Sequence, residues 1–464
     1  MVDGTTNRTR CSCGATVAVG RIGRPLDDAL LEILSGRSSI PAVAGTLAAS
    51  VEGVKYIERT AAERYEVQPD YRRFDQKFNM TRQPYWKPDA MAFAINRLHN
   101  RAKLVEAQKP GYGILDWGFA NAAAASQQVM AFGINRPNQG PTSWKSVGPR
   151  RPEGTGKWAG DPATNSRIIK KMSRIFGAGD VGITMLDRRW VYSAWFDETT
   201  KQSYPIRFSD ESGYEYVTEP TQLQDNTQVI PQSLKYVAVF IVPMHWQAIR
   251  AAPTLTHLAA THVAYSQIAR LVLSVAEFIR GLGYNAIPSA NCTALSIPLA
   301  VDAGLGELGR NAKLIHPVWG PVCRICKVIT DLPMEPDVPI ETGATFFCQS
   351  CLKCADACPA RAIPVGPPSF EPPGGCGNAG VRQWQLNHWK CSARSAARWP
   401  PTAGYAWLLV PLAGARAGPR RQPGNQSLEF LYQIHLPQPP STPLITVRNT
   451  WRPFGMEIDA ELRR

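Results

Sequence analysis

Cys348, Cys351, Cys354, Cys358 and Pro359 stand in the spacing C-x2-C-x2-C-x3-C-P. Thiolates so spaced hold a [4Fe–4S] cluster, and in two-cluster ferredoxins the last of the four serves the other cluster. The run therefore points to electron transfer and asks for further cysteines elsewhere. A structural zinc site is the alternative chemistry, but zinc favours two separated Cys pairs over one compact run. Cys323 and Cys326 make a further C-x2-C around Arg324, read here as small core residues at strand spacing, with Cys292 likewise structural. Gly304, Gly306 and Gly309 have the spacing G-x-G-x-x-G. In a dinucleotide-binding fold that spacing follows a strand and opens a helix, whereas here it follows Ile297–Ala303, which reads as helical.

These groups need elements to position them. Ile168–Phe176 has helical periodicity, Gly177–Asp180 reads as a turn, and Val181–Leu186 as a buried strand. Val237–Val242 reads as a second strand, ahead of a helical stretch from about Thr256 to Leu282. Gly281-Leu-Gly-Tyr-Asn-Ala-Ile-Pro288 then reads as a helix stop followed by a strand. Such alternation predicts an α/β sandwich. Residues 84–160, rich in Pro, Gly, Asn and Trp, predict long connecting segments with short helices. Trp117 and Trp190 are candidates to border a substrate cavity, with core aromatics as the default reading.

Composition narrows the class. The 464 residues suggest two or three domains of ~150 residues. Nine of the eleven cysteines fall between Cys292 and Cys391, a clustering that fits a cofactor better than a disulfide framework. The net charge is +14, but Lys and Arg are scattered, so nucleic acid is not predicted as a partner. No run of 18 apolar residues predicts a transmembrane helix, and the weakly apolar Ile40–Val51 behind Arg37 lacks the Arg-Arg of one export signal. From Ser392 onward the 73 residues hold nine Arg, no Lys, ten Pro and no Cys. Ser392–Gly424 resembles an out-of-frame reading of G/C-rich DNA, and predicts a disordered or poorly packed tail.

The cysteine run, Gly304-Leu-Gly-Glu-Leu-Gly-Arg-Asn311 and Val322-Cys-Arg-Ile-Cys-Lys-Val-Ile-Thr-Asp-Leu-Pro333 together resemble the corrinoid-dependent reductive dehalogenases. Phe176-Gly-Ala-Gly-Asp-Val-Gly182, Trp190-Val-Tyr-Ser193 and Gly283-Tyr-Asn-Ala-Ile-Pro288 occur in that family's order and spacing. Trp384-Gln-Leu-Asn-His-Trp-Lys-Cys391 is similar to its lead-in to a second cluster motif, so the resemblance covers roughly residues 55–391. It implies a nitroreductase-like α/β sandwich core with an appended ferredoxin-like iron–sulfur domain. The boundaries it implies are an N-terminal segment 1–54, a helical and irregular region 55–160 and a cobalamin-binding core 161–340. A cluster domain 341–391 and an aberrant tail 392–464 complete them. The implied cofactors are cobalamin, held base-off, and two [4Fe–4S] clusters. The lack of an Asp-His-x-x-Gly motif, by which other B12 enzymes replace the lower base with His, is consistent with that family.

Carried onto this chain, the resemblance makes Tyr265 the proton donor, Arg324 its cationic neighbour and Asn291 a polar residue of the pocket. A guanidinium beside a phenol favours the phenolate and eases proton donation. Thr261, one turn before Tyr265, shares its helix face and would line the pocket. Gly304, Gly306 and Gly309 would let the backbone approach the corrinoid. Cys348, Cys351 and Cys354 would bind one cluster, and Cys358 with Cys391 the other. The C-x2-C-x3-C-P expected after Cys391 does not follow, leaving three ligands for the first cluster and two for the second. Cys376 is the one candidate for a vacant position. The implied substrate is a small organohalide, and the implied partner an electron donor such as a small membrane-anchor protein. That would make the chain membrane-associated, facing the periplasm or cell exterior. An epoxyqueuosine-reductase-like enzyme, a plain electron carrier and a non-catalytic product of a disrupted dehalogenase gene are the alternative readings.

Overall fold

A computed structural model describes residues 46, 48, 53–57, 65–130, 140–148 and 156–397. The reading of the tail beyond residue 397 lies outside the described residues, as does most of that for Ile40–Val51.

In chain order the principal elements are helices α1 (Pro88–Glu106), α2 (Ile114–Met130) and α3 (Pro162–Ile175), then strands β1 (Asp180–Met185), β2 (Ala194–Asp197), β3 (Gln202–Phe208), β4 (Thr221–Gln222), β5 (Gln228–Ile230) and β6 (Tyr236–Pro243). There follow α4 (Trp246–Arg250), α5 (Leu255–Gly281), β7 (Ala286–Ser289), α6 (Ser296–Asp302), β8 (Cys323–Thr330), α7 (Ala344–Ser350), α8 (Lys353–Asp356) and α9 (His388–Ala397). The fold is mixed α/β.

The central sheet has the order β1-β6-β8-β7, every neighbour antiparallel. Successive side chains of a strand point to opposite faces, and β6 makes the consequence visible. Ala238, Phe240 and Val242 pack with Ile169 of α3 and Ile268, Val272 and Val275 of α5. Val237, Val239 and Ile241 pack with Leu299 and Ala300 of α6 and with Trp190 and Ile206 near the second sheet. Burial on both faces is why β6 reads as one unbroken apolar run. Truncating Phe240, which is fully buried, to Ala costs about 3–5 kcal/mol at such sites. The second sheet, β2-β3-β5-β4, has a single parallel pair, β3 with β5.

The helices begin where their sequences provide partners for the first N–H groups. Asp161 accepts from Thr164 N at 2.9 Å ahead of Pro162 in α3, and Thr254 caps α5 through His257 N. The expectation of short helices across residues 84–160 is corrected: α1 has 19 residues and α2 has 17. Pro88 occupies the first turn of α1, where its missing N–H is harmless. In α2, Ala122–Ala125 favours helix strongly enough to carry Gly118. Ala120 and Ala123 of α2 pack on Leu255 and Ala259 of α5, and Thr256 donates to Asp116 at 2.9 Å. Among the described residues, no helix is long and apolar enough to cross a membrane.

Candidate active site

Three elements of the core deliver three side chains to one place. Tyr265 comes from the middle of α5, Arg324 from the start of β8, and Asn291 from the turn after β7. Asn291 Nδ2 donates to the Tyr265 hydroxyl oxygen at 2.8 Å. The Arg324 guanidinium carbon lies 4.8 Å from the centre of the Tyr265 ring, a cation–π geometry. Tyr265 and Arg324 are half-buried and Asn291 is exposed, so the phenol oxygen sits at a face open to a cofactor or a substrate. Thr261 is half-buried one turn before Tyr265 on the same helix face.

The turn that presents Asn291 is fixed from beneath. Tyr192 donates its hydroxyl to the Asn291 carbonyl at 3.1 Å, and Ser289 donates to the Cys292 carbonyl at 2.5 Å. Burial pushes the Tyr192 phenol up, so it stays protonated as a donor. Arg82 is a further cation near this site. Its guanidinium pairs with Glu198, and its charge reaches Tyr192, Cys292 and Tyr265, while burial holds its pKa below the usual arginine value. His257 and His262, on α5, are both pushed down to about 4 by burial and then by nearby cations, Arg324 among them, so they are neutral near pH 7. Neither Arg82 nor Tyr192 was foreseen; only the tertiary fold brings them here.

The expected first set of thiols is Cys348, Cys351 and Cys354, and the expected second is Cys358 with Cys391. Cys348 closes toward the end of α7, Cys351 follows that helix, and Cys354 lies in α8. Burial raises the Cys348 and Cys354 thiols, Cys354 to about 11, and in both cases neighbouring thiols of the set add to the rise. Burial also raises Cys391, whose nearest like group is Cys358, against Lys313 and Arg97, which lower it. Cys358 and Cys354 share one small core with Ile363, and Cys391 packs against it. Trp389 of α9 meets Phe93 of α1 at 6.0 Å, which brings Arg97 to this second set. Among the described residues no group of three or more His, Cys, Asp or Glu side chains is placed to hold a single metal ion; what fits an iron–sulfur group is the C-x2-C-x2-C-x3-C-P spacing of these thiols.

Other candidates are placed elsewhere. The Cys376 sulfur lies 3.2 Å from the Phe78 carbonyl and 3.9 Å from the Met80 sulfur, neither of them a ligand cysteine. Cys323 and Cys326 face opposite sides of β8, one toward α6 and the second sheet and the other toward α3 and α5. They do not converge on a metal. The close approach that requires glycine at Gly304 and Gly306 is to the chain itself. Both have positive φ, +68° and +146°, and a Cβ there would strike the carbonyls of Val338 and Ile315 respectively. Gly309 packs against the Ile315 side chain. At Gly304 and Gly306 the close neighbour is the protein's own backbone.

The family model described as the reductive dehalogenase subunit matches residues 89–334, more than half of the chain, and so includes Tyr265, Asn291 and Arg324. The tetrachloroethene reductive dehalogenase of Sulfurospirillum multivorans is 35% identical over 272 residues, covering 58% of this chain and 52% of that protein. The chain spans about half the length of the curated relatives it matches. An epoxyqueuosine reductase of Bacillus subtilis is 42% identical over only 65 residues, 14% of this chain and 16% of that one. Among solved structures, the catabolic reductive dehalogenase NpRdhA in complex with 3-bromo-4-hydroxybenzoic acid aligns with a TM-score of 0.53 and 20% identity, over 84% of this chain and 48% of the other. That last likeness is one of fold.

Proposed function

Because this chain belongs to the reductive dehalogenase subunit family, we propose that it replaces the halogen of a small organohalide by hydrogen. The balance is R–X plus two electrons and one proton giving R–H and halide. When bound, a corrinoid supplies the strongly reducing centre, and [4Fe–4S] clusters supply its electrons. The rest is the work of side chains. Tyr265 gives its phenolic proton to the carbon that loses halide. Asn291 occupies a lone pair of the phenol oxygen through its Nδ2 at 2.8 Å, which leaves the hydroxyl proton to point at substrate. Arg324 stabilises the negative charge growing on the halide, and Arg82, paired with Glu198, lies close by. Thr261 lines the pocket.

Cys348, Cys351 and Cys354 would hold one cluster and Cys358 with Cys391 part of the other. In this reading, residues 161–340 form the corrinoid-binding core, nitroreductase-like, and residues 341–391 a ferredoxin-like cluster domain. Attachment to a small membrane-anchor partner on the outer side of the cytoplasmic membrane is part of the same proposal. The observation that carries the reading is the convergence of Asn291 and Arg324 on Tyr265.

Anaerobic reconstitution with cobalamin, iron and sulfide tests it. The expected result is a base-off corrinoid spectrum, about eight irons per chain for two clusters, and halide release from tetrachloroethene with a strong chemical reductant. Absence of corrinoid retention sinks the proposal. Corrinoid retention with about four irons or fewer and no halide release favours a chain whose electron path is broken after Cys391.

A further inference from the structure

Glu307 and Arg310, in Gly306-Glu-Leu-Gly-Arg310, take hold of α7 at its two ends. Glu307 is buried, and its Oε2 accepts from Thr342 N at 2.6 Å and from Ala344 N at 3.0 Å, as well as from the Thr342 hydroxyl. Ala344 opens α7, so the carboxylate serves N–H groups that have no partner within the helix. Thr345 adds a tie by donating to the Leu308 carbonyl at 3.1 Å. At the other end Arg310 is buried. Its Nε donates to the Cys348 carbonyl at 2.9 Å and its Nη2 to the Gln349 carbonyl at 3.1 Å. Its Nη1 donates to Pro364 and Gly366 at 2.9 and 2.8 Å, and its guanidinium lies 5.0 Å from the centre of the Trp384 ring. These partners are carbonyls and a ring, and none carries a negative charge.

We propose that Glu307 and Arg310 are positioning residues for the thiol run, and that Arg310 also provides the buried positive charge that offsets the negative charge of a cluster held by Cys348, Cys351 and Cys354. The proposal rests on the iron–sulfur reading above. Four carbonyls from two segments, the end of α7 and the loop after Cys358, are gathered by one rigid fork. Lysine, a point charge on a flexible stem, cannot span them. A buried guanidinium with dipoles alone for partners is costly to desolvate, and a nearby anion offsets that cost. Both Cys348 and Cys354 lie within its electrostatic reach. Gly304 and Gly306 let the segment that carries both residues run tight against the backbone of Val338 and Ile315.

The full chain, reconstituted with iron and sulfide, is compared with Arg310→Met, Arg310→Lys and Glu307→Ala. Arg310→Met should shift the midpoint potential of the bound cluster to more negative values in an EPR-monitored titration, because the reduced state loses a stabilising charge. Arg310→Lys should restore most of that shift. In the iron-free chain, Glu307→Ala and both Arg310 variants should speed amide hydrogen exchange across Ala344–Ser350 on the order of tenfold. A parent-like potential in folded, iron-loaded Arg310→Met overturns the charge role. Parent-like exchange in Glu307→Ala and Arg310→Lys overturns the positioning role, and decides it even where Arg310→Met does not fold. If the parent chain itself takes up no iron, the iron–sulfur reading fails with the charge role, while the exchange comparison still judges the clamp.

Discussion

Asn291 donates its side-chain amide to the phenol oxygen of Tyr265 at 2.8 Å. The direction of that bond matters. An amide NH2 pointed at the oxygen engages a lone pair and leaves the hydroxyl hydrogen uncommitted. The Tyr192 hydroxyl on the Asn291 carbonyl, at 3.1 Å, holds the turn that makes this possible. A phenol arranged in this way is aimed outward, at whatever occupies the open face.

Tyr265→Phe removes the transferable proton and little else. Halide release should fall on the order of 10²–10⁴-fold, the usual worth of a positioned acid. The melting temperature should barely move, since the lost bond lies at an exposed amide and is worth about 0.5–1.5 kcal/mol. Halide release at the parent rate in Tyr265→Phe would remove the phenol from the reaction.

Arg324 is predicted to act through charge more than through packing. Arg324→Met should lower kcat on the order of 10²–10³-fold, as loss of a preorganised partner to developing charge does elsewhere. Arg324→Lys should lie between the variant and the parent, keeping the charge but losing the planar stack on the Tyr265 ring. Equal rates for the lysine and methionine variants would contradict this.

The two sets of thiols predict separable losses of iron. Cys354→Ser should empty the first set and spare the second, whereas Cys391→Ser should do the reverse, each leaving a different EPR signal. Cys376→Ser should leave iron content unchanged, because that sulfur meets Phe78 and Met80. Loss of iron in Cys376→Ser would bring it back as a ligand.

Acid should destabilise the chain through its buried histidines. His316 is fully buried, with Nδ1 accepting from Val318 N at 3.0 Å and Nε2 facing Asp180 at 3.2 Å. Burial holds its pKa below the ordinary value of 6.5, although Asp180 pulls the other way, and His257 and His262 are pushed down to about 4. Below about pH 6.5 the unfolded chain therefore binds protons that the folded chain refuses, and stability falls as pH drops. Thermal melts should show a plateau near pH 7 and a decline from about 6.5 toward 4. A His257→Gln variant should decline less steeply over that range, and an unchanged slope would remove His257 from the explanation.

Much of the core was legible in the sequence because its signals are local. The apolar run at Val237–Val242 and the periodicity of Thr256–Leu282 lie within β6 and α5 to within a residue or two. The long helices α1 and α2 were not legible. Ile95, Leu98, Ile114 and Leu115 remain exposed, so neither helix shows one clean apolar stripe. Tyr265, Asn291 and Arg324 are unremarkable one by one, and drew notice only through the family's spacing. Arg82, Tyr192, Glu307 and Arg310 went unassigned because their significance is set by partners far away in sequence. The resemblance implied a cofactor at Gly304 and Gly306, but a carbonyl of the chain's own and a corrinoid demand the same smallness.

The antiparallel pairing of β8 with β6 and β7 has a consequence in time. Arg324 rides on the last strand to join that sheet, and it leaves the ribosome 24 residues before Cys348, the difference between the two positions. Domains emerging N-terminus first begin to fold as they appear. The stretch that carries Tyr265, Asn291 and Arg324, the residues proposed to handle the proton, is thus synthesised before Cys348, the first of the proposed sulfur ligands, and a frame slip after Cys391 would leave it unaltered.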